Sequence, residues 1–386
     1  AYEITYGDWS SDVCSSDLKK NIKEAWWLDM VRNPPPGPDG QEIRMVGLDC
    51  SIIMNPKVWV ASGHVGGFSD PMVNCLKCRK LFRADKVHMA GAEIDGKPIV
   101  VSVEADNATD AEQLLKSKIA KLQKKKHPAG VLAFAMKTNY FSATAVPAGW
   151  PSPCPVDECD GTLEAPRAFN LMNETNIGAA VDSSSKAYLR PETAQIIFAQ
   201  FQNVLSVSRQ KIPFGIAQIG KAFRNEINPR NFTFRSREFE QMELEFFIKP
   251  GTDADWHQTW VNERLKWYET IGLPASKLSC YNYKKEELAH YASACVDVMF
   301  EFPFGVQELE GIAARGDFDL SQHQKFSGKS QEYFDDETKE RFVPHVVEPS
   351  AGVDRIALAL ICSAYTEEEV APGDTRVVMK FAPRIA

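Results

Sequence analysis

Apolar residues recur at helical spacing in five stretches of this chain. Ile22, Ala25, Trp26 and Met30 predict a helix over Lys19–Val31 with Asp17 as its N-cap, stopped by the Asn33–Pro38 run, which cannot continue one. A capping-box spacing, Thr109 to Glu112, opens a second helix through Leu114, Leu115, Ile119 and Leu122 to the lysines at 124–126. Further helices are predicted over Thr193–Gln210, Asp253–Ile271 and Val353–Ala364. Phe214–Gly220, Glu238–Phe247 and Val343–Val347 read as strands. In the second of these Met242, Leu244 and Phe246 share one face, whereas Gln241, Glu243 and Glu245 share the other, so a core face backs a row of acids. The Ser/Asp-rich Gly7–Asp17 stretch has no period and reads as loop or disorder.

Strands joined as hairpins, with helices between them, favour an α+β fold with an antiparallel sheet. At 386 residues the chain has room for two to three units. It holds 44 Lys plus Arg against 52 Asp plus Glu, a formal net charge of −8, so a polyanion must be gripped by local patches rather than bulk charge. Without an apolar run of membrane length, a signal pattern or a lipidation box, the expectation is a cytoplasmic protein with no membrane partner. Nine cysteines, an odd number, argue against a disulfide framework. Cys75–Cys78 and Cys154–Cys159 form two pairs suited to a Cys₄ zinc site, the alternative being four reduced thiols in loops.

Arginine is concentrated where chemistry is expected. Arg224-Asn225-Glu226, Phe234-Arg235-Ser236-Arg237 and Phe239 through Glu243 put one guanidinium on a strand and two on the loop beyond it, a way to hold a triphosphate without a glycine-rich phosphate loop. Taken alone the same residues also suit a hairpin with surface salt bridges. Glu348 to Arg355 leads from a strand into a helix, so the Gly352 amide and helix N-terminus lie beside a sheet edge and Arg355 on the first turn is free to reach phosphate. A plain helix-surface arginine is the alternative there.

Together these segments resemble motifs 2 and 3 of the class II aminoacyl-tRNA synthetases. Met54–Trp59, Ala61–His64, Phe68–Pro71, Phe82–Asp85, Tyr188–Gln195, Glu308–Arg315 and Asp317–Leu320 narrow the resemblance to the homodimeric type of glycyl-tRNA synthetase, over Lys19–Ala386. The resemblance implies that Arg224 and Arg355 are catalytic, on the α- and γ-phosphate sides of ATP. It implies further ATP contacts from Asn225, Glu226, Phe234, Arg235, Arg237, Phe239, Glu308, Leu309, Gly352 and Asp354, with Glu308 meeting Mg²⁺ through ATP. For glycine it implies Glu192, Glu243, Glu348 and Ser350 around the ammonium group, with Glu240 and Gln241 beside them and Arg83 and Arg315 on the substrate side. Pro56 matches the motif 1 proline of a dimer interface.

The activity implied is two-step ligation of glycine to tRNA(Gly), with ATP and Mg²⁺ required and no side-chain nucleophile, so His64 is expected to be structural. The expected organisation is an atypical segment 1–18, to which no function is assigned, then catalytic core over 19–74 and 165–375. An insertion bounded by the cysteine pairs spans 75–164, and 376–386 reads as a linker to an anticodon-binding domain that is expected to be absent. Two other classes fit parts of the pattern. A non-catalytic synthetase-like binding protein would be expected to lose the motif arginines and ammonium-binding acids, whereas a metal-dependent structural module needs only the cysteines.

Overall fold

The computed structural model describes residues 14–94, 97–105, 108–126, 139–182, 185–227 and 229–386. They divide into a larger unit, residues up to Gly67 together with Met172–Ala386, and a smaller one, Phe68–Leu171. The smaller is wider than the interval between the cysteine pairs because strand 69–74, just ahead of them, pairs with strand 167–170 just behind.

The larger unit is built on seven strands: β1 (Arg44–Gly47), β2 (Phe214–Phe223), β3 (Glu238–Ile248), β4 (Leu278–Asn282), β5 (Ala294–Phe302), β6 (Gly305–Gly316) and β7 (His345–Gly352). Their order is β1-β2-β3-β7-β6-β5-β4; β1 runs parallel to β2 and every other pair is antiparallel. The helices that cover it are α1 (Cys14–Trp27), α2 (Ala194–Ser208), α3 (Asp253–Thr270), α4 (Phe318–Ser327) and α5 (Val353–Ala364).

The alternation in β3 divides the core. Met242, Leu244 and Phe246 join Trp256 and Trp260 of α3 and Ile356 and Leu360 of α5 in one apolar cluster, with the Phe246 and Trp256 rings 4.6 Å apart. On the opposite face Phe214, Ile216 and Phe247 pack against Ile197, Phe198 and Phe201 of α2 and Leu320 of α4. The acids of β3 share that second face and are buried there, Glu243 at 2% exposure and Glu245 at 0%.

Several expected boundaries shift. The first helix begins at Cys14, so Asp17 lies in its first turn, where a carboxylate complements the helix dipole, and is not the N-cap; residues 7–13 lie outside the described residues. Leu28–Arg32 continue it as π-helix up to the Pro run. The helix over Ala108–Lys126 buries Ala111 and Leu115 but leaves Leu114 about half exposed. Glu348–Gly352 belongs to β7, a central strand, so Gly352 ends a strand in the middle of the sheet rather than beside its edge. Among the described residues no helix is long and apolar enough to cross a membrane.

Candidate active site

A cavity of about 240 Å³ opens over the C-terminal end of β7 and the loop joining β2 to β3. Its first end is cationic. Arg224, just past β2, donates from Nε to the Pro191 carbonyl at 3.1 Å and lies 5.4 Å from the Phe239 ring on the neighbouring strand. Arg235 stands 3.9 Å from Glu226 across the loop. Arg355, on the first turn of α5, lies 4.5 Å over the Phe234 ring, with Nη1 3.1 Å from the Glu308 carboxylate. Phe234 is itself fixed edge-on by Phe302 and Phe304, each 5.3 Å away. The Arg355 guanidinium, with Arg224 and Arg235 further off, holds the Glu308 carboxyl below its ordinary range.

Glu308 reaches this cavity because of an irregularity in β6. Met299 pairs with Glu308 and Val298 with Glu310, so Leu309 is an extra residue in the ladder. Strict alternation would put Glu308 and Glu310 on one face. The bulge turns Glu308 to the cavity, while Glu310 enters the opposite core. There Arg264 Nε donates to it at 2.7 Å and the Tyr268 hydroxyl at 2.5 Å, all three wholly buried.

The second end is an arrangement of buried acids about one arginine. Arg315 donates to both oxygens of Asp319, at 2.7 and 3.0 Å, and to Glu348 at 2.7 Å, with the Tyr291 ring 4.1 Å from its guanidinium. Glu243 accepts from the Thr193 hydroxyl and from Ser350 Oγ at 2.8 Å. Glu192 lies 3.2 Å from His64 Nε2 and accepts from Gln195, whose amide also donates to Asp319. His64, held at Nδ1 by Ser62 and edge-on to Trp59, thus buttresses an acid. Burial works against ionisation of Glu192, but His64, Arg315 and Arg224 outweigh it and hold its carboxyl low. Burial and the Glu192 charge push Glu243 up. Burial, with Glu243 and Glu192 nearby, pushes Glu348 up to about 8 against the pull of Arg315. This end is short of positive charge.

Of the residues singled out from sequence, Arg224, Glu226, Phe234, Arg235, Phe239, Glu308, Leu309, Gly352, Asp354 and Arg355 line the cavity, as do Glu192, Gln241, Glu243, Arg315, Glu348 and Ser350. Asn225, Arg237 and Glu240 are not among its lining residues. Arg237 donates to the Glu226 carbonyl, and Glu240 is taken by Lys19 and Lys23 of α1. Asp354 does structural work as well, accepting from Lys19 and from the Glu240 amide, each at 2.9 Å. Arg83 belongs to the smaller unit, where it pairs with Asp70 and Asp85. Thr193, Tyr291 and Asp319 were not singled out. Thr193 and Asp319 stand beside Glu192 and in the Asp317–Leu320 block, yet only the folded geometry gives them their partners.

In the smaller unit the four cysteines converge. Cys75 and Cys159 sulfurs are 3.6 Å apart, those of Cys78 and Cys154 3.7 Å, and all four lie within 4.8 Å of one another. Tetrahedral zinc with Zn–S bonds of about 2.3 Å places its sulfurs about 3.8 Å apart. The cluster is closely wrapped: a Cβ at Gly161 would come within 2.6 Å of Cys75 Sγ. The donor set fits zinc.

Residues 179–365 match the family model of the tRNA synthetase class II core domain (G, H, P, S and T), so the six antiparallel strands β2 to β7 of the mixed sheet belong to a class II synthetase core. Comparisons with curated sequences are more specific. The chain is 46% identical to a glycine–tRNA ligase of Chlorobaculum tepidum, over 96% of this chain and 73% of that one. It is 44% identical to one of Lachnoclostridium phytofermentans (98% and 73%) and 42% identical to one of Rhodopirellula baltica (100% and 78%). The chain belongs to the glycine–tRNA ligase family. Among solved structures, likeness to Giardia lamblia prolyl-tRNA synthetase in complex with prolyl-adenylate is slight, at 16% identity and TM-score 0.41 over 49% of this chain and 37% of that one. Nothing in these comparisons favours a non-catalytic binding protein.

Proposed function

We propose that this ligase activates glycine within the single cavity described above, ATP lying at the arginine end and glycine at the acid end. The observation that carries the reading is the division of one cavity into ends of opposite need. Arg224, Arg235 and Arg355 offer cations to a polyphosphate, while Glu192, Glu243 and Glu348 crowd with Asp319 about Arg315, more acids than one guanidinium can neutralise. Phe239 and Glu226 suit the adenine, as ring surface and acceptor. The glycine carboxylate attacks the α-phosphorus as Arg224 stabilises the charge gathering on its oxygens, forming glycyl-adenylate while pyrophosphate leaves. The terminal ribose hydroxyl of tRNA then attacks the adenylate carbonyl and AMP departs. Positioning and electrostatics perform both steps, so no side-chain nucleophile is called for.

Mg²⁺ would be held by Glu308 together with the ATP phosphates and would neutralise charge on the pyrophosphate. Arg355 keeps Glu308 ionised for that purpose. Cys75, Cys78, Cys154 and Cys159 would hold a structural zinc that ties the smaller unit together. The proposal extends to tRNA(Gly) as the acceptor, to a homodimer with Pro56 near its interface, and to the cytoplasm as the place of action.

Glycine-dependent exchange of pyrophosphate into ATP tests the reading. Exchange should be present in the intact protein and fall by about 10²–10³ or more in Arg224→Ala with the fold unchanged. Full activity in that variant, or a preference for alanine over glycine, contradicts it.

A further inference from the structure

Behind the acid end lies a carboxyl that the reaction above does not use. Glu245 is wholly buried on β3, two residues beyond Glu243 on the same face, and neither of its oxygens has a hydrogen-bond partner. The flanking pairs Glu243–Ser350 and Phe246–Val347 set it directly across from Glu348, where Pro349, which has no N–H, interrupts the ladder between β3 and β7. Like charges opposed on one sheet face repel, and carboxylate oxygens of Glu243, Glu245 and Glu348 lie within 4.8 Å of one another. Donors are shared unevenly among the three. Glu243 receives two hydroxyls and Glu348 receives Arg315, whereas Glu245 receives nothing. Gln218, paired with Glu243 and one diagonal step from Glu245, adds a buried amide oxygen that also lacks a donor. One bound proton removes a repelling charge and supplies a missing donor.

We propose that Glu245 is held as a neutral carboxylic acid and lends its hydrogen to the floor of the amino-acid site, leaving Glu243 and Glu348 to face the ammonium group. It is a positioning residue and touches no substrate. The charged groups acting on it are Glu348 on β7, Arg315 on β6, Glu243 on β3 and Asp319 on α4; Arg315 is the one cation among them. Burial and the three acids push its carboxyl well above the usual range. The inference rests on the placement of glycine given above.

The test compares Glu245→Gln, which keeps a neutral donor of similar shape, with Glu245→Leu, which removes it. The Gln variant should keep glycine KM and kcat within about threefold, whereas the Leu variant should raise glycine KM about tenfold with ATP KM unchanged. The wild-type minus Glu245→Gln infrared difference spectrum of the whole enzyme at neutral pH should contain a protonated-carboxyl band, and should still contain it in a Glu348→Gln background. Loss of activity in the Gln variant together with no such band in the wild type overturns the proposal, as does a Leu variant with unaltered glycine KM. If the Leu variant fails to fold, the band and the Gln variant still decide. Glu243→Gln serves as control: an unchanged glycine KM there contradicts the placement of glycine, a result on which the infrared band does not depend.

Discussion

Among the described residues, four cysteines and three glutamates each crowd potential anions, and the two groups resolve the crowding differently. In the smaller unit four cysteine sulfurs stand 3.6–3.7 Å apart in pairs, the spacing of thiolates around a tetrahedral metal. In the larger unit oxygens of Glu243, Glu245 and Glu348 lie within 4.8 Å of one another, but hydroxyls and a guanidinium already occupy part of their acceptor capacity. The first set matches a resident ion. The second leaves room for a cation that comes and goes, as the ammonium group of a substrate must. Glu310 supplies a third case, an acid whose cation, Arg264, is built in for good. Proximity of acids alone therefore does not define a site; the donors already committed to them do.

The comparison breaks first at the cysteines. Cys75→Ser, or a strong chelator, should remove about one zinc per chain and unfold the smaller unit, since structural zinc contributes about 10 kcal/mol or more in small domains. Elemental analysis that finds no zinc in the wild type contradicts the assignment. Next in size, Glu310→Ala strands the buried Arg264 charge and should cost about 3–5 kcal/mol in denaturant unfolding; a loss below about 1 kcal/mol would mean that the pair is not a fixed element of the core. Smaller again, Glu243→Gln should raise glycine KM about 10- to 100-fold while sparing ATP KM, a loss of one charge-assisted hydrogen bond.

The expected alternation of β3 is present because it depends on near neighbours in sequence, whereas the meeting of the β2–β3 loop with Arg355 of α5, expected from the resemblance alone, joins residues 121 positions apart. What local pattern does not carry is set by distant partners. The extra residue at Leu309 sends Glu308 and Glu310 to opposite faces, and nothing in Glu308-Leu309-Glu310 itself announces it. Strands β4 to β6 were not anticipated: β4 is an edge strand exposed along most of its length, and the burial of β5 and β6 follows no clean period. Arg83 and Glu240 were placed by resemblance; here Arg83 pairs with Asp70 and Asp85, and Glu240 with Lys19 and Lys23. Thr193 acquired its role through a residue fifty positions away.

At the acid end Arg315 is outnumbered by the carboxyls around it until the glycine ammonium adds a second cation, and the pH dependence of glycine KM reports that deficit. In the empty site Glu348 is raised to about 8, so below that pH part of the population carries a proton that the ammonium group must displace. Glycine KM in pyrophosphate exchange should therefore fall as pH rises from about 6.5 to about 8, and the slope should flatten in Glu348→Gln. A glycine KM that is flat or rises over that range in the wild type contradicts the account.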